Sequence, residues 1–180
     1  MRRHTPFTLT VPIGPAEHTL GPAHAPVTVV EYGDFECPNC KQAATAVRLL
    51  LEHCLNRVLF VFRHFPLEEV HPHAEPAAEA AECAGGQGKF WPMHDLLFSH
   101  QDRLKPSHLR GYAEELELDM ARFTAEMHDH VYLQRVREHQ QSGHDSGVRS
   151  TPAFFVNGSI QDVSFGLHLL RDAVQAALAG

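Results

Sequence analysis

Apolar and polar positions change their period several times along this chain, and each change predicts an element. Residues 1–26 hold Pro and Gly at short intervals with no sustained period. They are expected to run extended over the surface, with a short strand near Thr19–Leu20. "VTVVEY", 27–32, is a β-branched apolar run bounded by Pro26 and Gly33, which predicts a short buried strand. After the turn "GDFE", apolar residues recur at Ala43, Ala46, Val47, Leu50, Leu51, Cys54 and Leu55. That spacing predicts a helix from Cys37 to about Leu55, with Pro38 accommodated in the first turn. "RVLFVFRHF", 57–65, reads as a second buried strand. A strand, a helix of about five turns and another strand make a right-handed crossover, so the two strands are predicted to be parallel.

From Pro66 to Ser150 the pattern is helical. "AEPAAEAAECA" is broken by "GGQG"; "KFWPMHDLLFSH", "SHLRGYAEELEL" and "MARFTAEM" predict short helices, and "HVYLQRVREHQQSGHDSG" a longer one. A block of this length is no ordinary connection. The period then returns to that of a strand in "TPAFFVNG", 151–158, closed by an Asn-Gly turn with "SIQDV" as the partner strand. "SFGLHLLRDAVQAALA" predicts a terminal amphipathic helix with Leu167, Leu170, Val174 and Leu178 on one stripe. The order is β-α-β, a helical block, then β-β-α.

Composition narrows the function. The 180 residues fit one domain or a core with one insertion, and 43% hydrophobic residues supply a core. With 22 acidic against 15 basic residues the net charge is -7, unfavourable for nucleic acid or an anionic membrane surface. No apolar run approaches the roughly 20 residues of a membrane span, and no integral membrane segment is expected. The start, "MRRHTPFTLTVPIGPAEHTL", has basic residues but no apolar leader segment, so a cytoplasmic location is expected, with export open if a signal peptide was removed. The 15 histidines include "HPH" (His71, His73) and "HDH" (His128, His130), yet none stands in a metal-ligand spacing, and a histidine-tolerant surface is expected.

Four cysteines are too few for a disulfide scaffold. Cys37 and Cys40 are separated only by Pro38 and Asn39. At a strand-to-helix junction, unpaired N–H groups and the helix dipole lower the pKa of Cys37, and Cys40 falls on the same helix face. Cys37 can then attack a substrate disulfide and Cys40 resolve the mixed disulfide. The alternative is a structural metal- or partner-binding module, but zinc needs four ligands and the second pair is missing. Cys54 and Cys83 stand alone; packing is the expectation, and a second disulfide depends on their separation. Glu31, inside a strand that otherwise reads as buried, is either an edge carboxylate or a buried acid of raised pKa that takes the proton of Cys40. Pro152 begins the third strand. If its bond were cis and faced the cysteines, the Thr151 backbone would be open to pair with a substrate peptide.

Together, "VTVVEYGDFECPNC", "GQGKFWPMHDLLF" and "TPAFFVNG" resemble the DsbA-like thiol-disulfide oxidoreductases of the thioredoxin superfamily, from about residue 18 to the end. The resemblance implies an α/β thioredoxin fold with a helical insertion. Residues 1–65 would form an N-terminal extension and the first β-α-β, 66–150 the insertion, and 151–180 the closing β-β-α. By position, Cys37 is the nucleophile, Cys40 the resolving cysteine, Glu31 the buried acid and Thr151-Pro152 the substrate-binding cis-proline loop, with Phe35, Pro38 and Asn39 as neighbours. Asn39 stands where the family's well-known periplasmic oxidase has His, and Glu36, next to Cys37, is expected to raise its pKa. The implied partners are protein thiols and disulfides and an unidentified redox partner; no cofactor or metal is implied. Kappa-class glutathione transferases share this fold, which leaves a glutathione-linked relative as an alternative.

Overall fold

The computed structural model describes residues 7–54 and 56–180; Leu55 of the predicted helix and the first six residues lie outside them. The first β-α-β is β1 (His18–Leu20), β2 (Val27–Gly33), α1 (Pro38–Cys54) and β3 (Val58–His64). β2 and β3 pair in parallel, as the crossover predicts, and β1 adds antiparallel to β3. Five helices come next: α2 (Ala74–Gly85), α3 (Phe90–Ser99), α4 (Pro106–Glu115), α5 (Met120–His128) and α6 (Leu133–Asp145). β4 (Ala153–Val156), β5 (Ser159–Gln161) and α7 (His168–Ala179) close the chain.

The strand order is β1-β3-β2-β4-β5, so β2 is central and its residues are buried on both faces. That is why β2 and β3 read as continuous apolar runs rather than alternating ones. On one face Val27, Val29, Phe62 and Phe154 pack under α1, α3 and α7. On the other, Val30, Tyr32, Val61 and Phe155 pack under Leu9, Ile13 and Val148. Because side chains alternate along a strand, Glu31 shares the first face with Val29, beneath α1.

A buried network and a close helix contact fix the second face. The Arg63 guanidinium, 1% exposed, donates to Glu17 at 2.6 Å, to the Tyr32 hydroxyl at 2.9 Å and to the carbonyls of Val11 and Pro12. It thereby ties the otherwise irregular N-terminal segment to β3, since a buried charge needs its partners satisfied. α6 lies close against the sheet at Gly143, where a Cβ would come within 2.6 Å of the Phe65 ring and 3.0 Å of Tyr32. The expected hairpin forms at Asn157-Gly158, both with positive φ (48° and 79°), the geometry that matches strand twist.

Two helix starts shift from the pattern. α7 begins at His168 rather than near Ser164, because Gly166 at φ 132° interrupts helical geometry. α6 begins at Leu133, since His130 adopts φ 51°. Leu170 and Val174 are the buried members of the terminal stripe.

Candidate active site

The site begins with the turn between β2 and α1. Gly33 has no side chain, and a Cβ there would lie 2.5 Å from the Phe62 ring and 3.2 Å from Glu31 Oε1. Asp34 is 1% exposed and organises the turn. Its carboxylate accepts the backbone N–H of Glu36 at 2.7 Å, the backbone N–H of Leu67 at 2.8 Å and a ring N–H of His71 at 2.8 Å. Its own N–H points at Cys40 Sγ, 3.4 Å away. The Cys37 N–H donates to the Asp34 carbonyl, and the N–H groups of Cys40 and Lys41 to the Cys37 carbonyl. Gln101 Nε2, beyond α3, donates to that same carbonyl at 2.6 Å.

Pro38 opens α1 and is exposed, as is Asn39; Cys37 is 5% exposed and Cys40 fully buried. Phe35 does not line the surface. It is buried beneath the turn against Phe62, Phe98 and His94, with ring centroids 4.9–5.7 Å apart. Across from the cysteines, the Thr151–Pro152 bond is cis, and the Cys37 thiol donates to the Thr151 carbonyl at 3.5 Å.

The two thiols are electrostatically unequal. Cys37 is lowered from the ordinary 9.0 to about 5, chiefly because the Cys40 thiol donates to its sulfur; burial opposes this, and the Thr151 side chain and the N–H groups of Cys40 and Asn39 reinforce it. Cys40 is pushed well above 9.0 by burial first, then by its role as donor to Cys37 and by Glu31. Glu31, 1% exposed, is raised to about 8 by burial and by the charge on Cys37, and its Oε1 has no hydrogen-bond partner among the described residues. The edge-carboxylate alternative for Glu31 therefore fails: β2 is the central strand. The expected upward push from Glu36 on Cys37 also fails. The Glu36 carboxylate is turned to His73, accepting its backbone N–H at 2.7 Å and lying 3.1 Å from its ring nitrogen.

Sequence reading passed over Asp34 and Gln101. An Asp shortly before a helix-opening Cys carries the signal of a turn-forming side chain. Nothing in the sequence marks Gln101, which comes from 64 residues away. The histidines also differ from expectation, because several are buried and paired. Glu82, 2% exposed, bonds His64 at 2.8 Å and His18 at 3.0 Å, with Arg135 Nε 3.0 Å away. Burial pushes its carboxyl up, but the bonds and charges of His18 and His64 outweigh this and hold it well below the ordinary carboxylate range. His64, Glu82 and His139 place ligand-type atoms within 4.8 Å of one another, but the carboxylate already bonds His64 and His18 and is ion-paired with Arg135. Cys54 and Cys83 are both buried free thiols.

The comparisons agree with this architecture. Residues 14–176 match the family model described as Thioredoxin. BdbD from Bacillus subtilis superposes with a TM-score of 0.82 at 22% identity, covering 92% of this chain and 94% of that one. A thioredoxin-like oxidoreductase from Silicibacter pomeroyi gives 0.81 at 26% identity, covering 93% and 95%. Among curated proteins, the chain is 51% identical over 173 residues to a protein named Na(+)/H(+) antiporter NhaA 1 from Salinispora arenicola, covering 96% of this chain. A Salinispora tropica protein named NhaA 3 is 49% identical over 172 residues. The chain spans about a quarter of the length of these relatives (26%). No helix among the described residues is long and apolar enough to cross a membrane. The chain belongs to the thioredoxin family.

Proposed function

We propose that Cys37 and Cys40 are the redox pair through which this chain exchanges disulfides with protein thiols. The observation that carries the reading is the inequality of the two thiols at one helix start. Cys37 is lowered to about 5 beside the Thr151 carbonyl, and Cys40 is buried and raised. The Cys37 thiolate attacks a substrate disulfide, forming a mixed disulfide and releasing one substrate thiolate. Glu31 then takes the proton of Cys40, whose thiolate attacks Cys37 Sγ. The Cys37–Cys40 disulfide forms and the second substrate thiol leaves; the reverse sequence oxidises a substrate dithiol. Thr151, held beside Cys37 by the cis bond, presents backbone for an extended substrate segment to pair with, and Pro38 and Asn39 form the exposed rim. The structural-module alternative is disfavoured because, among the described residues, the cluster of ligand-type side chains is His64, Glu82 and His139 and includes neither thiol.

Direction decides compartment. A reducing pair fits the cytoplasm, a disulfide donor an exported form. The antiporter relatives suggest a further setting, a thiol-exchange unit working beside a membrane transporter. The test is Cys40→Ser, which should accumulate covalent adducts at Cys37 with disulfide-bearing proteins, while Cys37→Ser forms none. Absence of adducts would remove the resolving role from Cys40.

A further inference from the structure

Glu31 faces a cavity of about 310 Å³ between α1 and α3, large enough for several waters. The acid, 1% exposed, lines it together with Val47 and Phe60 as buried apolar walls. His94, 6% exposed, lines the same cavity, while Arg48, Glu52 and Asp95 line it from exposed positions. The His94 ring is packed edge-on against Phe62 and Phe98, both at 4.9 Å, and Trp91 at 5.1 Å, so it has little freedom to turn. Its Nδ1 lies 3.0 Å from Asp95 Oδ1. An ionised carboxylate can only accept, so Nδ1 carries the hydrogen and Nε2 keeps the lone pair.

Any proton that Glu31 takes from Cys40 has to leave before the next turnover. The turn around Cys37 and Asp34 closes the other side, where every polar atom of Asp34 is already engaged. We propose that His94, oriented by Asp95, relays the proton between Glu31 and solvent through this cavity. The proposal rests on the thiol-exchange reading and adds the path that resets it. The Glu31 carboxyl gives its proton through cavity water to His94 Nε2. The transient imidazolium is held by Asp95, and Nε2 passes the proton on through cavity water to solvent, leaving His94 neutral and Glu31 ionised for the transfer from Cys40, a state favoured once the mixed disulfide removes the Cys37 charge. No oxidant or reductant is needed, and the reverse transfer serves the oxidising direction.

Other charges around the ring set the balance. Burial holds His94 below its ordinary 6.5, and Arg48 on α1 and His64 on β3 press the same way, while Asp95 opposes them. The imidazole is thus neutral at rest and its charged form short-lived, as a relay requires rather than a resting acid. Cys37 and Cys40 bear on Glu31 from α1, and Glu52 adds an acidic group at the mouth.

The test is single-turnover reduction of glutathione disulfide, followed by acid quench and mass measurement. It resolves attack by Cys37 (step one) from resolution by Cys40 (step two). His94→Gln should leave step one unchanged and slow step two by about tenfold, at the low end of what positioned proton transfer contributes. It should flatten the pH profile of step two, and added imidazole should restore the rate. Asp95→Asn, at an exposed position that leaves the aromatic packing intact, should slow step two severalfold and decides the matter if His94→Gln does not fold. Equal step-two rates in wild type and these variants at every pH would overturn the relay while leaving the exchange reaction in place. A wild type inert at step one overturns the exchange reading and the relay with it.

Discussion

The Cys37 thiol reaches the carbonyl oxygen of Thr151 at 3.5 Å across a sequence separation of 114 residues. The nucleophile and the backbone it faces come from opposite ends of the chain, joined because β4, carrying the cis-proline loop, pairs antiparallel with β2. The site is thus assembled by the central strands, with the helical stretch packed around it.

A low thiol pKa fixes when Cys37 reacts. Its ultraviolet thiolate absorbance should titrate with a midpoint near 5, and alkylation should fall off below it. For the reduced protein, the thiolate's contribution to stability is fully present above the ordinary 9.0 and lost as pH falls through about 5. Unfolding of the reduced form against the oxidised form across that range measures it; a midpoint near 9.0 would show that Cys40 does not support the thiolate.

Glu31 has the opposite sign. Its folded value of about 8 lies above the ordinary 4.5, so the neutral acid's contribution is fully present below 4.5 and lost as pH rises through about 8. Glu31→Gln removes the titration. The variant should therefore gain on wild type by roughly 1.4 kcal/mol per pH unit inside that window and by nothing below it. Its release of mixed disulfides should be slower. Denaturant melts at several pH values and single-turnover kinetics check the two halves; parallel stability curves would return Glu31 to the solvent.

Asp34→Ala should cost about 1–3 kcal/mol, since buried N–H groups lose their acceptor. It should also raise the pKa of Cys37, because the turn that presents the helix start to its sulfur loosens. Chemical denaturation and thiolate titration of one preparation test both; lost stability with an unmoved thiol would separate the turn from the chemistry.

Gly33→Ala should destabilise by about 1–3 kcal/mol through overpacking. The added methyl meets the Phe62 ring first, at 2.5 Å, and then Glu31 Oε1 at 3.2 Å. A variant as stable as wild type would mean that β2 and β3 move apart freely at this point.

The reduction potential of the Cys37–Cys40 pair decides direction. Equilibration with glutathione, read by mass after trapping the thiols, should place it towards the oxidising end, because a stabilised thiolate favours the reduced form. A value near DsbA's, about −120 mV, marks a disulfide donor, and one near thioredoxin's, about −270 mV, a reductant.

The sequence by itself determined the order of elements and the reactive pair. Local periods fixed β2, α1 and β3, and Cys37 and Cys40 were legible because three residues of helix place two thiols on one face. Asn157-Gly158 marked its hairpin because few residues adopt positive φ. The interrupted starts of α6 and α7 escaped, since a left-handed residue such as His130 leaves no trace in hydrophobic period. Only tertiary structure decided that Glu31 is buried with its Oε1 unpaired among the described residues, that Glu36 bonds His73 rather than bearing on Cys37, and that Gln101 holds the Cys37 carbonyl. Those facts depend on which side chains meet across the sheet and its covering helices. A pKa is set by such meetings, by desolvation and by donors brought from distant segments, and a linear pattern carries none of that information.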